Sequence, residues 1–310
     1  MELHITGLSK TYPNGVVALS DVTLTIGHGM FGLLGPNGAG KSTLMRILAT
    51  LQDADRGSVQ LQDGERFIDV LRDKPEVRGL LGYLPQDFGV YPKMSAATLL
   101  SHLAELKGVA ARGERREMVD ALLEKTNLWA DRGKALGTFS GGMRQRFGIA
   151  QALIGSPRLL IVDEPTAGLD PEERVRFHNL LAEVGEEVVV LLSTHIVADV
   201  ADLCPQLAVL NRGQVLVSGA PGAIAERLAG RVYASSVARA DFDEIALHHR
   251  VISTRLKAGR TVVHVIADGS PGGSFEPVEA TLEDAYFASI AGLLPLAPAP
   301  IDAPAGLTEP

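Results

Sequence analysis

The chain is predicted to be an α/β protein built on a mostly parallel core sheet. Short, wholly apolar runs at Met30–Leu34, Leu159–Val162 and Val188–Leu192 read as strands buried on both faces. From Arg158 onward strand-like and helix-like segments alternate, the pattern of a parallel sheet with helices against it. A glycine-rich stretch joins the first run to a helical pattern over Lys41–Leu51.

The elements follow in order. Leu3 and Ile5 precede a turn at Pro13-Asn14-Gly15, and Val22, Leu24 and Ile26 repeat with period two, as in a half-buried strand. Gly57–Leu61 and Gly79–Leu84 read as further strands. From Ser95 to about Ile154 the period is helical: Leu99, Leu103 and Leu106 share one face, as do Met118 and Leu122. Strand Arg158–Val162, helix Pro171–Val184, strand Val188–Leu192, helix Ile196–Leu203 and strand Leu207–Leu210 complete the alternation. A composition break falls at Gly219-Ala-Pro-Gly222. Beyond it, strands at Arg231–Ser236, Val251–Leu256 and Thr261–Ala267 and a helix at Leu282–Ile290 predict a small α+β domain over 223–292. Residues 293–310, rich in Pro and Ala, are expected to be a disordered tail.

Composition narrows the function. The 310 residues carry 29 basic and 37 acidic side chains, a net charge of −8. That balance disfavours a protein that grips phosphate backbones, so no nucleic-acid partner is expected. The hydrophobic share of 46% against 21% charged excludes global disorder. Cys204 is the single cysteine, which rules out an intrachain disulfide and points to a reducing compartment. No apolar run approaches the roughly 20 residues of a spanning helix. Met1-Glu-Leu-His-Ile lacks a basic region followed by an apolar core, so no signal peptide is expected.

The chemistry-bearing residues fall in three places. Gly35, Pro36, Asn37, Gly38, Ala39, Gly40, Lys41, Ser42 and Thr43 fit the phosphate-binding pattern G-x-x-x-x-G-K-[ST], between a predicted strand and a predicted helix. Glycines let successive backbone N–H groups turn onto phosphate oxygens, and the helix N-terminus adds positive potential. Lys41 is suited to bridging β- and γ-phosphates, and the Ser42 hydroxyl to Mg²⁺. The buried strand Leu159–Val162 runs into Asp163 and Glu164, an acid suited to supporting a Mg²⁺ shell and one suited to deprotonating a water. Ser140, Gly141 and Gly142, ahead of a helix, form a second phosphate-binding surface. One nucleotide does not need both surfaces, so the second is read as serving a nucleotide held by another subunit.

These motifs, in this order, resemble the ATP-binding subunit of an ABC transporter over residues 2 to about 220. Residues 35–43 resemble Walker A, 159–164 Walker B and 140–145, with Gln145, the signature motif; Phe139 stands where the family usually has Leu. Tyr12 resembles the aromatic that stacks on adenine, Gln86 the Q-loop glutamine, Ala167-Gly168-Leu169-Asp170 the D-loop and His195 the switch histidine. The resemblance implies a P-loop NTPase fold with an antiparallel β subdomain and an inserted helical subdomain at about 87–155, within an ATP-binding domain over 1–222. It implies ATP and Mg²⁺ as cofactors, with Ser42, Gln86 and Asp163 at the metal. Glu164, His195 and Gln86 are implied as catalytic. Ser140, Gly141, Gly142, Gln145 and Asp170 are implied to act across a head-to-tail dimer with a second ATP-binding subunit, identical or a close paralogue. The remaining seven histidines are read as surface residues.

The implied function is ATP hydrolysis energising an exporter through a separate transmembrane permease subunit, at the cytoplasmic face of the membrane. Leu84–Pro92 and Ala280–Phe287 resemble subunits of drug and antibiotic export systems. The alternative is an ABC ATPase acting on ribosomes or DNA without a membrane partner. One P-loop, no long heptad run and one cysteine disfavour it. Asp87–Met94 carries Phe88, Tyr91, Pro92 and Met94 beside Gln86, and Phe88 and Tyr91 are expected to line a groove for the permease.

Overall fold

The computed structural model describes residues 1–238 and 241–294. The expected tail therefore lies, from residue 295 onward, outside the described residues. The chain divides into two compact units, Met1–Gln214 and a second beginning at Val215, ahead of the composition break at Gly219–Gly222.

The first unit holds two sheets. β1 (Glu2–Thr11) and β2 (Val17–Ile26) form an antiparallel hairpin closed by the Pro13-Asn14-Gly15 turn, where Gly15 N–H donates to the Tyr12 carbonyl at 2.9 Å. With β4 (Arg56–Asp63) and β5 (Arg66–Asp69) they make an antiparallel sheet in the order β2-β1-β4-β5. Leu3, Ile5, Val22 and Ile26 point to its buried face, as the period of two requires.

The core sheet contains β3 (Met30–Leu34), β6 (Leu81–Leu84), β7 (Leu159–Asp163), β8 (Val189–Thr194) and β9 (Gln206–Asn211). They run parallel in the order β9-β3-β8-β7-β6. Every residue of β3, β7 and β8 is buried, which explains their unbroken apolar sequence. Helices α1 (Lys41–Leu48), α6 (Pro171–Gly185) and α7 (Val197–Leu203) follow β3, β7 and β8. Strand C-terminal ends open onto loops there, and in parallel sheets ligands bind at that edge.

Two element boundaries in the first unit differ from the sequence reading. Gly79 and Leu80, expected in a strand, close a short helix, α2 (Lys74–Leu80), which Pro75 starts and which buries only Val77; too few turns carry a period for the sequence to show it. The helix at Lys41 ends at Leu48 rather than Leu51, and Thr50 takes φ +60°.

Between β6 and β7 lie α3 (Ala96–Leu106), α4 (Arg112–Lys125) and α5 (Gly141–Ala152). Ser95 accepts from Thr98 N–H to start α3. These helices close around Leu99, Leu100, Leu123, Phe139 and Phe147, with Leu103, Met118 and Leu122 packed on the rim. Phe139 is thus a core side chain. Leu106, expected on the apolar face, is exposed where α3 ends.

The chain crosses into the second unit along β10 (Gln214–Gly219). That unit contains α8 (Pro221–Glu226), β11 (Val232–Val237), α9 (Phe242–His248), β12 (Arg250–Lys257), β13 (Arg260–Ile266), β14 (Glu276–Pro277) and α10 (Leu282–Ile290). Its antiparallel sheet has the order β12-β13-β11-β14. Thr281 and Asp284 form a reciprocal cap on α10. Burial pushes the Asp284 carboxyl up, but the bonds from His264 and Thr281 outweigh it and leave the pKa lowered. His264, at 2.7 Å from Asp284, and His178, on α6, are both largely buried against carboxylates. They correct the reading of every histidine but His195 as a surface residue.

Candidate active site

The site is built where β3 ends. The loop Gly35–Gly40 leaves the strand and turns sharply into α1. Gly40 sits at φ +108°, and a Cβ there would lie 2.4 Å from the Ala18 carbonyl oxygen, so only glycine fits. No side chain caps α1, which leaves its N-terminal dipole facing the loop. A cavity of about 450 Å³ opens over this turn, lined by Tyr12, Val16–Ala18, Asn37–Thr43, Gln86 and Glu164.

Lys41 is buried, and its Nζ donates to the carbonyls of Gly35 (2.8 Å) and Pro36 (3.2 Å). The ammonium lies 3.5 Å from Glu164 Oε1. Burial lowers the Lys41 pKa, and the Glu164 carboxylate opposes that shift. A cation held in a wall of inward-turned backbone is the arrangement that receives an anion.

Asp163, the last residue of β7, is 3% exposed. Burial raises its carboxyl above the usual range; the Ser193 and Ser42 hydroxyls and the Lys41 ammonium offset only part of this, and Glu164 adds to it. Its Oδ1 makes no hydrogen bond, nor does the neighbouring Ser193 Oγ. A buried, unpartnered carboxylate oxygen next to the Ser42 hydroxyl fits a hard divalent cation. Among the described residues no group of three or more His, Cys, Asp or Glu could hold a metal, so such an ion would draw its other ligands from substrate and water.

Glu164 is the hub. It takes φ +46°, unusual for a side chain of its size, with its N–H bound to the Ser193 carbonyl at 2.9 Å. Its carboxylate receives the Gln86 amide at 3.4 Å and stands 3.2 Å from His195 Nδ1. Lys41, Gln86 and His195 thus converge on one carboxylate at the cavity wall, a geometry suited to general-base chemistry on a water beside bound phosphate. Tyr12 lines the same cavity. Its hydroxyl lies 3.1 Å from Thr43 Oγ1 and donates to Gln52 at 3.2 Å. The bond to Thr43 lowers its pKa most. Val16 and Val17, which the sequence reading did not single out, are exposed apolar residues beside it.

The structure therefore brings together the loop residues, Tyr12, Gln86, Asp163, Glu164 and His195. It does not bring Ser140, Gly141, Gly142, Gln145 or Asp170 into that cavity. Ser140 caps α5, accepting from Met143 N–H at 3.1 Å. Gly142 gives Glu173 room: a Cβ there would fall 2.1 Å from Glu173 Oε2. Gln145 Oε1 is buried without a partner. Asp170 caps α6, accepting from Glu173 N–H at 2.9 Å. Phe88 and Met94 pack into the helical core, and a Cβ on Gly148 would meet Phe88 Cζ at 2.7 Å, whereas Tyr91 is 65% exposed. Phe88 thus turns inward rather than outward. The sequence reading also missed Thr166, Arg174 and Asp199, which meet in a buried polar cluster. No contiguous pattern in the sequence marks them, because they lie on separate elements.

A parallel sheet with a glycine loop, a buried lysine and an Asp–Glu pair at its strand ends defines a P-loop nucleotide-binding domain. The family pattern described as ABC transporter matches residues 19–167. The chain is 37% identical over 236 residues to the probable multidrug ABC transporter ATP-binding protein YbhF of Escherichia coli (strain K12), across 74% of this chain and 39% of that protein. It thus spans less than half of that relative's length. It is 36% identical over 226 residues to the lipopolysaccharide export system ATP-binding protein LptB of Acidithiobacillus ferridurans, across 72% of this chain and 92% of that one. A dimeric ATP-binding cassette in a post-hydrolysis state bound to ADP and Pi matches with a TM-score of 0.62 and 25% identity, over 70% of this chain and 98% of that one. The chain belongs to the ABC transporter family, as an ATP-binding domain of its ATPase class.

Proposed function

We propose that ATP hydrolysis by this chain drives an exporter through a separate transmembrane permease subunit, by closure of a dimer of ATP-binding subunits. The observation that carries the reading is the separation of the cavity from Ser140–Gly142. A cap-bearing helix N-terminus outside its own chain's nucleotide cavity is suited to a nucleotide on another subunit. Export rather than import rests on the likeness to LptB, an ATP-binding protein of a lipopolysaccharide export system. No helix among the described residues is long and apolar enough to cross a membrane. The reading therefore has the chain held at the cytoplasmic face by its permease, with exposed Tyr91 as a contact.

In this account the N–H groups of Gly38 to Thr43 and the Lys41 ammonium hold the phosphates of ATP, and Tyr12 with Val16 and Val17 contacts the adenine. Gly35 and Pro36 offer carbonyls that seat Lys41, while Asn37 and Ala39 shape the loop. Ser42, Asp163 and Gln86 would hold Mg²⁺, which supplies charge neutralisation on the phosphates when bound. Lys41 leans on Glu164. Phosphate draws Lys41 away and frees Glu164 to take a proton from the attacking water. His195 and Gln86 hold that carboxylate and face the γ-phosphate. Ser140, Gly141, Gly142 and Gln145 close over the nucleotide of the second subunit, with Asp170 at the seam.

Glu164→Gln tests this directly. The amide is nearly isosteric but cannot act as base, so turnover falls by about a thousandfold while ATP binding persists and an ATP-dependent dimer accumulates on size exclusion. Turnover at the wild-type rate would remove Glu164 from the role of base.

A further inference from the structure

Asp199 is the most deeply buried acid of the first unit, 1% exposed, and no step above uses it. Its carboxylate is fully engaged. Oδ2 accepts from Thr166 Oγ1 at 2.7 Å, and Oδ1 accepts from Arg174 Nε at 2.7 Å and also from Arg174 Nη2. His178 Nε2 lies 3.1 Å from Oδ1 but makes no hydrogen bond to it, so Thr166 and Arg174 are the donors. The donors come from separate elements. Thr166 belongs to the turn after Glu164, where Ala167 N–H reaches back to the Glu164 carbonyl at 3.5 Å and Leu169 N–H to the Thr166 carbonyl at 3.2 Å. Arg174 and His178 sit on α6, whose N-cap is Asp170. Asp199 itself sits on α7, the helix that His195 leads into.

A buried carboxylate is costly unless paired and fully hydrogen-bonded. A core position on a short helix would be filled more cheaply by an apolar side chain, as the adjacent Val200 shows. What the carboxylate does that Val could not is bind three segments at fixed angles. Glu164 adopts a positive φ, a conformation that persists only where the surroundings over-determine it. Thr166 is the side chain of the following turn that is pinned from outside that turn, and Asp199 pins it. The same carboxylate fixes α6 beside Glu173, which lies 3.5 Å from Arg146 of α5, the helix that Ser140 caps.

Resting on the reading of Glu164 as general base, we propose that Asp199 is a positioning residue for ATP hydrolysis: through Thr166 and Arg174 it locks the turn carrying Glu164, the Asp170 end of α6 and the helix following His195 into one arrangement. It touches no substrate. Its effect is on the alignment of Glu164 and His195 rather than on nucleotide affinity, which the glycine loop sets.

The test uses the full chain. Thr166→Val removes one hydroxyl, keeps the shape and leaves the Asp199–Arg174 ion pair intact. It should lower kcat about tenfold, as expected for a small misplacement of a reacting group, with KM for ATP unchanged; Thr166→Ser should restore kcat. Asp199→Asn should lower kcat further. Hydrogen exchange should rise in the 164–170 segment of Thr166→Val and not in the glycine loop. Wild-type kcat in Thr166→Val, or a fall in kcat that Thr166→Ser fails to restore, would overturn the proposal. If Asp199→Asn does not fold, Thr166→Val decides alone. A wild-type chain that fails to hydrolyse ATP would refute the hydrolytic reading instead. The exchange measurement would still report on the tether: unchanged exchange at 164–170 would overturn it.

Discussion

Two regions of this chain, the glycine loop and the Ser140 end of α5, are built on different terms. Around the glycine loop the fold leaves its polar groups unfinished: Asp163 Oδ1 and Ser193 Oγ have no partners, Glu164 sits at φ +46°, and the buried Lys41 leans on loop carbonyls. Around Ser140 the local backbone is already satisfied, since the hydroxyl caps α5 and Asp170 caps α6. The first surface has a cavity and chemistry waiting for a substrate. The second has a capped helix end, although Gln145 Oε1, Arg146 Nε and Glu173 Oε2 around it also lack partners, and it opens no cavity of its own onto the glycine loop. On the proposed reading, the contrast puts binding and hydrolysis at the glycine loop and leaves the Ser140 surface to cover a nucleotide on another subunit.

Each of the following would break or sharpen that contrast. Ser140→Arg places a long cation on the Ser140 surface. Turnover should drop by about a hundredfold or more, with ATP affinity measured at the glycine loop unchanged; equal loss of affinity would merge the two surfaces into one. Lys41→Ala does the reverse. Losing a charge-assisted contact to phosphate should weaken ATP binding by about tenfold to a hundredfold, read by equilibrium titration.

The smallest effects are on stability, and they differ in sign. Ser140→Ala removes an N-cap and should cost about 1 kcal/mol. Asp163→Asn should raise the thermal midpoint at neutral pH while abolishing turnover. The reason is the direction of its shift: burial raises the folded-state pKa, so the ionised form burdens the fold above that pKa. The burden disappears as pH falls through the raised value toward that of the unfolded chain. The difference between wild type and Asp163→Asn should therefore shrink on acidification; a gap independent of pH would trace the effect to packing.

How much of this was legible follows from how local each constraint is. The glycine loop, the buried β7 and β8, and the acids at the end of β7 are short contiguous patterns whose chemistry is written in adjacent residues. Hence the nucleotide-binding fold and the loop and acidic residues at the cavity could be read directly, whereas Tyr12 and Gln86 needed the family resemblance and Val16–Ala18 the structure. Ser140–Gly142 was expected to serve a nucleotide of another subunit, and the structure leaves it out of this chain's own cavity. Asp199 was not legible because its partners Thr166, Arg174 and His178 lie on other elements, and an acid in a short helix ordinarily faces water. Gly79 and Leu80 misled because α2 is shorter than the window in which a period shows. Phe88 misled because an aromatic beside a functional glutamine reads equally as contact or core, and Gly148 on α5 supplies the space that draws it inward.

The central claim, that one complete site takes its glycine loop from one subunit and its Ser140 surface from another, is tested most directly by mixing two inactive chains. Lys41→Ala keeps an intact Ser140 surface, and Ser140→Arg keeps an intact glycine loop. In a two-fold dimer of the mixture one site combines both intact halves. Random pairing makes half the dimers mixed, each with one of its two sites whole, so ATPase activity should return to about a quarter of wild type if sites act independently. Activity that stays at the level of the separate variants, although mixed dimers form, would contradict the account.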